Sequence, residues 1–306
     1  MSAEWPLVIV GPTAVGKTSL AVSLAKLLSG ELVGTDSMQS YRGMDIGTAK
    51  PTAIELGDVR HHMLDLWDVD HSADVAEFQA LARQSIEQIR KRDRLPIVVG
   101  GSVLYVNAVL DNFEFPGTNA EIRAKYELLL ENEGAASLHS RLEVIDPDAA
   151  SRINATNGRR IVRALEVNEI TGKQYQASLE HVQEFIPSCR VGLEIDRPVL
   201  DQRITMRIDA MIAAGFIQEV ENLLNQGLAQ GVTARRAIGY SQVLSYLAGE
   251  ISFDDARAQM IYATSKFARR QQRWFRQDPR IAWFDWDSPN LAEQVSSHFD
   301  VVLGSQ

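Results

Sequence analysis

Three short apolar runs separated by amphipathic stretches mark the first hundred residues. Leu7 to Val10 (LVIV), Glu31 to Thr35 and Leu95 to Val99 are too short for helices and rich in Val, Leu and Ile, so they read as buried strands. Between them, Ser19 to Leu28 (SLAVSLAKLL) and Ala73 to Arg92 repeat apolar residues at helical spacing. Strand alternating with helix predicts a parallel sheet covered by helices, with any ligand outside the carboxyl ends of the strands. Gly11, Asp36 and Ser102 each follow a strand on that edge, so three separate segments are expected to converge on one site.

The rhythm changes after Phe113-Glu-Phe-Pro116-Gly117. From Asn119 to about Leu179 the pattern is helical, with turns at Glu133-Gly134 and Asp146-Pro147-Asp148. Strand character returns at Ser188 to Ile195, helices follow from Pro198 to Phe275, and a last short strand covers Ile281 to Phe284. The expected fold is α/β: a P-loop core with a parallel β-sheet flanked by helices, formed by residues 1–118 and 186–306, plus a helical insertion domain at 119–185.

Composition narrows the setting. The 306 residues are 45% hydrophobic, enough for one large core or two unequal ones, and no repeat or low-complexity tract interrupts them. The single cysteine, Cys189, excludes an intrachain disulfide and a Cys-rich zinc site, and points to a reducing, cytoplasmic setting and a core position. The first residues lack a basic segment before their short apolar run, and no stretch is long enough to cross a membrane, so neither a signal peptide nor a membrane association is expected.

The most specific chemistry lies directly after the first strand. Gly11-Pro12-Thr13-Ala14-Val15-Gly16-Lys17-Thr18 is G-x-x-x-x-G-K-T between a strand and a helix. Its glycines let the backbone wrap an anion, the helix N-terminus and Lys17 supply positive charge, and the Thr18 hydroxyl can hold Mg²⁺. This is a diphosphate or triphosphate cradle, and it does not reveal what carries the phosphate.

A net charge of −9 argues by itself against a nucleic-acid partner, but its distribution reverses the argument. Lys266, Arg269, Arg270, Arg273, Arg276 and Arg280 face only Asp278 across fifteen residues, and the first five fall on one third of a helical wheel, with Phe267, Trp274 and Phe275 pointing elsewhere. A second cluster, Arg152, Arg159, Arg160 and Arg163, contains no acid. Two such clusters beside a phosphate loop predict a polyanionic partner rather than solvated helix faces.

Asp36 opens the densest polar run of the chain, which extends to Pro51 and is too polar to be core. A carboxylate at a strand end beside a phosphate cradle can accept a proton or hold metal-bound water. On these residues alone, a small-molecule kinase or a P-loop switch protein fits as well, although the strand Leu95 to Val99 ends in Gly-Gly-Ser rather than in a Walker-B acid.

Taken together, Gly11 to Thr18, Asp36-Ser-Met-Gln39, Tyr41 to Pro51, His61-His62-Met-Leu-Asp65, Gly100-Gly-Ser-Val-Leu-Tyr105, Arg160-Ile-Val-Arg163-Ala-Leu-Glu166 and Gly239-Tyr240 resemble, in order, the tRNA dimethylallyltransferase family of the bacterial type. The resemblance implies transfer of the dimethylallyl group of dimethylallyl diphosphate to N6 of the adenosine 3′ to a tRNA anticodon. It implies Asp36 as the base, Lys17, the loop and Mg²⁺ on Thr18 as diphosphate ligands, and Thr13, Ser102 and Arg123 as further contacts. It also implies that Ser37, Met38 and Gln39 contact the extruded base and that Asp36, Ser102, Arg123, Arg159, Arg160 and Arg163 also bind the tRNA at its anticodon stem-loop. The basic stripe from Lys266 through Arg280, with Lys266, Arg269, Arg270 and Arg273 as its tRNA-binding residues, would hold backbone phosphates. A monomer is expected. The similar adenylate isopentenyltransferases, which use free nucleotides, need neither basic clusters nor an insertion.

The chain departs from the family pattern at two places. Ser102 stands where Thr is usual and keeps the hydroxyl, and Ala155-Thr156-Asn157 replaces the common Pro-Asn-Asp. Among the remaining residues, His61-His62 lacks a second ligand pair for a metal, Tyr105 and the tryptophans read as core, Asp45 reads as structural, and Glu166 and Asp65 are placed to orient arginines.

Overall fold

The computed structural model describes residues 5–113, 115–175 and 183–304. In chain order its elements are β1 (Leu7–Val10), α1 (Lys17–Leu27), β2 (Gly30–Gly34), α2 (Ala53–Leu56), β3 (His61–His62), α3 (Val75–Arg90), β4 (Leu95–Val99) and α4 (Val103–Leu110). There follow α5 (Ala120–Ile145), α6 (Pro147–Arg152), α7 (Gly158–Thr171), β5 (Cys189–Glu194), α8 (Arg197–Ala213), α9 (Phe216–Leu224), α10 (Tyr240–Leu247), α11 (Phe253–Phe275), β6 (Ile281–Asp285) and α12 (Leu291–Gly304).

The six strands form one parallel sheet in the order β3-β2-β4-β1-β5-β6. β1 and β4 are buried along their whole length, as continuous apolar runs in a sheet covered on both faces must be. The chain builds β2 and β4 on one side of β1 and then returns to place β5 on the other, so the loop after β1 sits at the topological switch point where α/β sheets open a crevice. Helix boundaries follow local chemistry. Asp74 caps α3 by accepting from the Ala76 amide, and Phe78, Ala82, Ile86 and Ile89 present the buried face. Ser252 caps α11 by accepting from the Asp255 amide. Among the described residues no helix is long and apolar enough to cross a membrane.

The chain divides into two compact units, residues 1–111 with 184–306 and residues 112–183. The second unit has its own core of Tyr126, Leu138, Leu142, Ile153, Ile161, Val162 and Leu165. Its long helix α5 is broken at Gly134, whose φ of 81° is left-handed, where the sequence places a turn. Asn157, at the position where the family pattern is altered, caps α7 through its side chain. Buried Glu166 takes hydrogen bonds from the Thr118 hydroxyl, the Asn119 amide, Arg123 and Arg163.

Two expectations are corrected. The polar run from Asp36 to Pro51 does enter the core: Ser40, Tyr41 and Met44 are fully buried. Polar atoms tolerate this because they are bonded, with the Ser40 hydroxyl donating to the Met63 carbonyl at 2.7 Å and the Tyr41 phenol to the His71 carbonyl at 3.1 Å. Asp65 pairs with Lys50 rather than with an arginine. His61 and His62 form the edge strand β3, and His62 pairs with Glu31 at 2.7 Å; among the described residues no trio of metal-binding side chains occurs. Cys189 is buried on β5, and burial pushes its thiol up to about 11.

Glu166 generates a stability prediction for the helical unit. Desolvation raises its carboxyl, but the bonds from Thr118 and Arg163 and the charge of Arg123 outweigh it and hold the group below its ordinary value. A depressed folded-state value gives stability that is present above about pH 4.5 and is lost as pH falls through the folded value. Glu166→Gln should lower the opening free energy of α5 and α7 by about 1–3 kcal/mol at pH 7 and flatten its acid dependence. Amide hydrogen exchange over those helices measures both.

Candidate active site

The turn from β1 to α1 wraps a cavity at the carboxyl edge of the sheet. Gly16 adopts φ 110°, outside the range favoured by side-chain-bearing residues, and leads directly into α1. Lys17, Thr18 and Ser19, the first turn of α1, therefore line a cavity of about 450 Å³ together with Thr13, Ala14, Gly16, Asp36, Gln39, Gly100 and Gly101. The expected convergence of the segments after β1, β2 and β4 is observed here. Lys17 donates from Nζ to the Pro12 carbonyl at 2.6 Å.

A second cavity of about 330 Å³ adjoins the first and shares Thr13, Asp36, Thr48, Arg207, Phe267 and Gln271 with it. Its remaining walls are mainly apolar, with Met38, Ile204, Ile208, Met211, Phe216 and Met260, and Ser102 opens onto it. The result is a cationic cradle with an apolar chamber beside it and Asp36 on the shared boundary.

The helices α8 and α11 supply residues that the sequence patterns did not single out. Arg203 donates from Nε to the Ala14 carbonyl at 2.8 Å, and its guanidinium lies over the Trp286 ring. Arg207, one turn later, borders both cavities. Gln271 accepts from the Thr13 amide at 2.9 Å and donates to the Gly101 carbonyl at 2.8 Å, so one buried carboxamide joins the loops after β1 and β4. A Cβ on Gly101 would stand 2.4 Å from the Gln271 nitrogen, which is why this position is glycine. The available signal for Arg203 and Arg207 was their i, i+4 spacing beside Ile204 and Ile208; Gln271 left none.

Electrostatics here are dominated by burial. Desolvation, and after it the positive charge of Arg207, lower Lys17 to about 7 against the opposing charge of Asp36. Asp36 is open to the cavity but otherwise enclosed by protein, and desolvation raises its carboxyl against the bond from the Met38 amide and the charges of Lys17 and Arg207. His61 also lines the cradle, and burial lowers it to about 4, so the ring is neutral at pH 7.

The other expected site residues occupy varied positions. Ser37 is buried and its hydroxyl meets the Tyr105 phenol, away from both cavity linings. Arg270 lines the apolar chamber beside Phe267, which thereby borders the site instead of turning away from it. Lys266, Arg270 and Arg273 are exposed and Arg269 is half-buried; among the described residues none of the four is paired with a carboxylate. Arg276, by contrast, pairs with Glu194, and Arg280 is held by Asp111, Asp278 and Glu184, which corrects its assignment to the phosphate-gripping stripe. In the helical unit Arg152, Arg159 and Arg160 are exposed, whereas Arg123 and Arg163 share Glu166, and Arg163 also donates to the Pro116 carbonyl.

A family model described as IPP transferase matches residues 39–278. A tRNA dimethylallyltransferase of Nocardioides sp. is 54% identical over 290 residues, covering 94% of each chain, and one of Streptomyces coelicolor is 54% identical over 277 residues, covering 90% of this chain and 89% of that one. The crystal structure of a tRNA isopentenylpyrophosphate transferase from Bacillus halodurans matches with a TM-score of 0.71 at 39% identity, covering 98% of this chain and 96% of that one. A eukaryotic dimethylallyltransferase acting on tRNA shares the fold with a TM-score of 0.80 at 24% identity, over 99% of this chain and 79% of its own.

The low value of Lys17 predicts proton uptake on anion binding. Above pH 7 the free side chain loses its charge, and a bound diphosphate restores it, so affinity for a diphosphate monoester should fall by up to about tenfold per pH unit above that point. Calorimetric titration in buffers of different ionisation enthalpy reads the uptake directly, and Lys17→Met should abolish it. A flat affinity from pH 7 to 9 would contradict the assignment.

Proposed function

The chain belongs to the IPP transferase family, and from that premise we propose that it transfers a dimethylallyl group from dimethylallyl diphosphate to N6 of the adenosine 3′ to a tRNA anticodon, releasing diphosphate. The observation that carries this reading is the shared wall between cradle and chamber, with Asp36 on it. A kinase needs a second polar site for a hydroxyl acceptor. A prenyl diphosphate beside a flat base needs an anion site that opens onto apolar surface.

The reaction then follows from the residues present. The diphosphate lies in the cradle among the loop amides and Lys17, with Arg207 on the boundary, and these groups stabilise the charge that grows on the leaving oxygen. The allylic C–O bond breaks with its electron pair passing to diphosphate, while the N6 lone pair forms the new N–C bond. Adenine N6 is a weak nucleophile because its lone pair is delocalised, so proton transfer from N6 to Asp36 assists the step. The raised carboxyl of Asp36 suits a base that must accept and then release this proton.

Thr18 in the first turn of α1 lines the cradle, which suits Mg²⁺, an ion that takes one or two protein oxygens and completes its shell with phosphate and water. When bound there it would neutralise charge on the leaving diphosphate. We assign backbone phosphate contacts to Lys266, Arg269, Arg270 and Arg273 on α11 and to Arg159 and Arg160 on α7, base contacts to Met38, Gln39 and Ser102, and a further diphosphate contact to Arg123. One chain supplies every assigned group, so a monomer acting in the cytoplasm suffices.

Asp36→Ala should lower the transfer rate by about two to four orders of magnitude with tRNA affinity nearly unchanged. Loss of tRNA binding with normal turnover of the bound complex would make Asp36 a binding residue instead. The salt dependence of tRNA binding tests the basic helix separately. Neutralising Arg270 with Arg273 should flatten the slope of log affinity against log salt by about one to two units, and an unchanged slope would favour a free-nucleotide acceptor. Labelled dimethylallyl diphosphate offered with unmodified tRNA or with AMP decides between these acceptors directly.

A further inference from the structure

Glu219, on α9, lines neither cavity, yet its carboxylate gathers four donors. Oε2 accepts from the Asp45 amide at 3.0 Å and the Ile46 amide at 2.6 Å, while Oε1 accepts from the Gly47 amide at 3.1 Å and the Tyr240 phenol at 2.6 Å. Three consecutive backbone N–H groups converging on one carboxylate form a rigid anion nest. Gly47 is pressed against the same support: a Cβ there would stand 2.2 Å from Phe216 and 2.7 Å from Tyr240. The Phe216 and Tyr240 rings meet edge to face at 5.0 Å.

The segment immediately after this clamp reaches the site. Thr48 lines both cavities, and the carbonyls of Thr48 and Ala49 accept from Gln39 Nε2 at 3.1 and 3.3 Å. Both amide hydrogens of Gln39 are thereby committed, which leaves Oε1 to address a ligand. Lys50 ties the far end of the segment to the Tyr41 carbonyl, Asp45 and Asp65. The connection thus runs from Glu219 through the amides of Asp45, Ile46 and Gly47 to the Thr48 and Ala49 carbonyls, and from these to Gln39.

We propose that Glu219 is a positioning residue for the acceptor base: its grip on the amides of residues 45–47 sets Gly47 and Thr48 in the wall of the apolar chamber, and with them the Thr48 and Ala49 carbonyls that fix the Gln39 carboxamide, and so governs affinity for tRNA more than for the diphosphate donor. This inference rests on the transfer reaction proposed above. Tyr240 stays a donor to the carboxylate because burial, reinforced by the negative charge of Glu219, pushes its phenol up.

The test is a double-mutant cycle of Glu219→Gln with Gln39→Ala, read as KM for unmodified tRNA, KM for dimethylallyl diphosphate, and kcat. A carboxamide in place of the carboxylate would present an NH₂ group to amide donors, so Glu219→Gln should raise the tRNA KM by about tenfold, an effect of about 1.4 kcal/mol, while donor KM stays within about twofold. Gln39→Ala should give a similar rise, and the double variant should exceed Gln39→Ala by no more than about twofold, because both changes act on one contact. Multiplicative effects, a parallel rise in donor KM, or no rise at all would overturn the proposal. If Glu219→Gln fails to fold, Tyr240→Phe removes one donor and should raise tRNA KM by about threefold with the donor unaffected; an unmoved tRNA KM overturns it equally. Wild-type protein that transfers nothing to tRNA would overturn the reaction itself, a result distinct from active wild type with silent variants.

Discussion

A single buried carboxamide holds the site together. Gln271 joins the Thr13 amide to the Gly101 carbonyl, and through them the loops that follow β1 and β4. A backbone loop that cradles phosphate cannot satisfy its own amides internally, since they must remain directed at the ligand. Such a loop needs support from behind, and Gln271 supplies it from α11, the helix that also carries Arg270 and Phe267 at the cavity wall. Gly101 is the complementary constraint, because any side chain there would displace the carboxamide. The cradle, the turn after β4 and the basic helix are therefore one mechanical unit.

Charge in this unit is arranged by burial more than by pairing. Lys17, Arg203 and Arg207 are brought to one edge of the sheet with Asp36 and Glu55 as the nearby acids. Burial, with the positive charge of Arg207 adding to it, lowers Lys17, and an entering anion offsets both, so the site is preorganised toward a ligand that carries several negative charges. Outside the cavity the same chain separates its arginines into two kinds. Arg190 and Arg280 are consumed by Asp111, Glu184 and Asp278 and hold the base of the β5 edge together. Among the described residues Lys266, Arg270 and Arg273 are exposed without such partners, so an acidic protein retains a locally cationic surface.

What was legible in the sequence follows from the range of the interactions involved. β1, β2 and β4 showed as apolar runs, and the cradle showed as a contiguous motif, because each is set by neighbours in sequence. Asp36 and Ser102 were legible because α/β topology places strand ends together whatever the intervening helices do. Gln271, 258 residues from its partner Thr13, and Glu219, 172 residues from Gly47, gave no local sign. Their roles arise only when α9 and α11 dock on the sheet. The burial of Tyr41 and Met44 was hidden for a related reason: small polar residues around them reach the core by bonding to distant carbonyls such as that of Met63, so composition alone misjudged the segment.

The arrangement of cradle and chamber also addresses a problem peculiar to allylic transfer. A carbon losing diphosphate reacts with water as readily as with an exocyclic amine, and water is far more abundant. An apolar chamber of about 330 Å³, walled by Ile204, Ile208, Met211, Phe216 and Met260, favours an apolar group and a flat base over loose solvent. Asp36 lines both spaces, so whatever fills the chamber lies beside a carboxylate. Selectivity for the amine then depends on filling the chamber before the C–O bond breaks, which makes the polar groups on the wall that the two spaces share, Thr48 among them, part of the defence against hydrolysis.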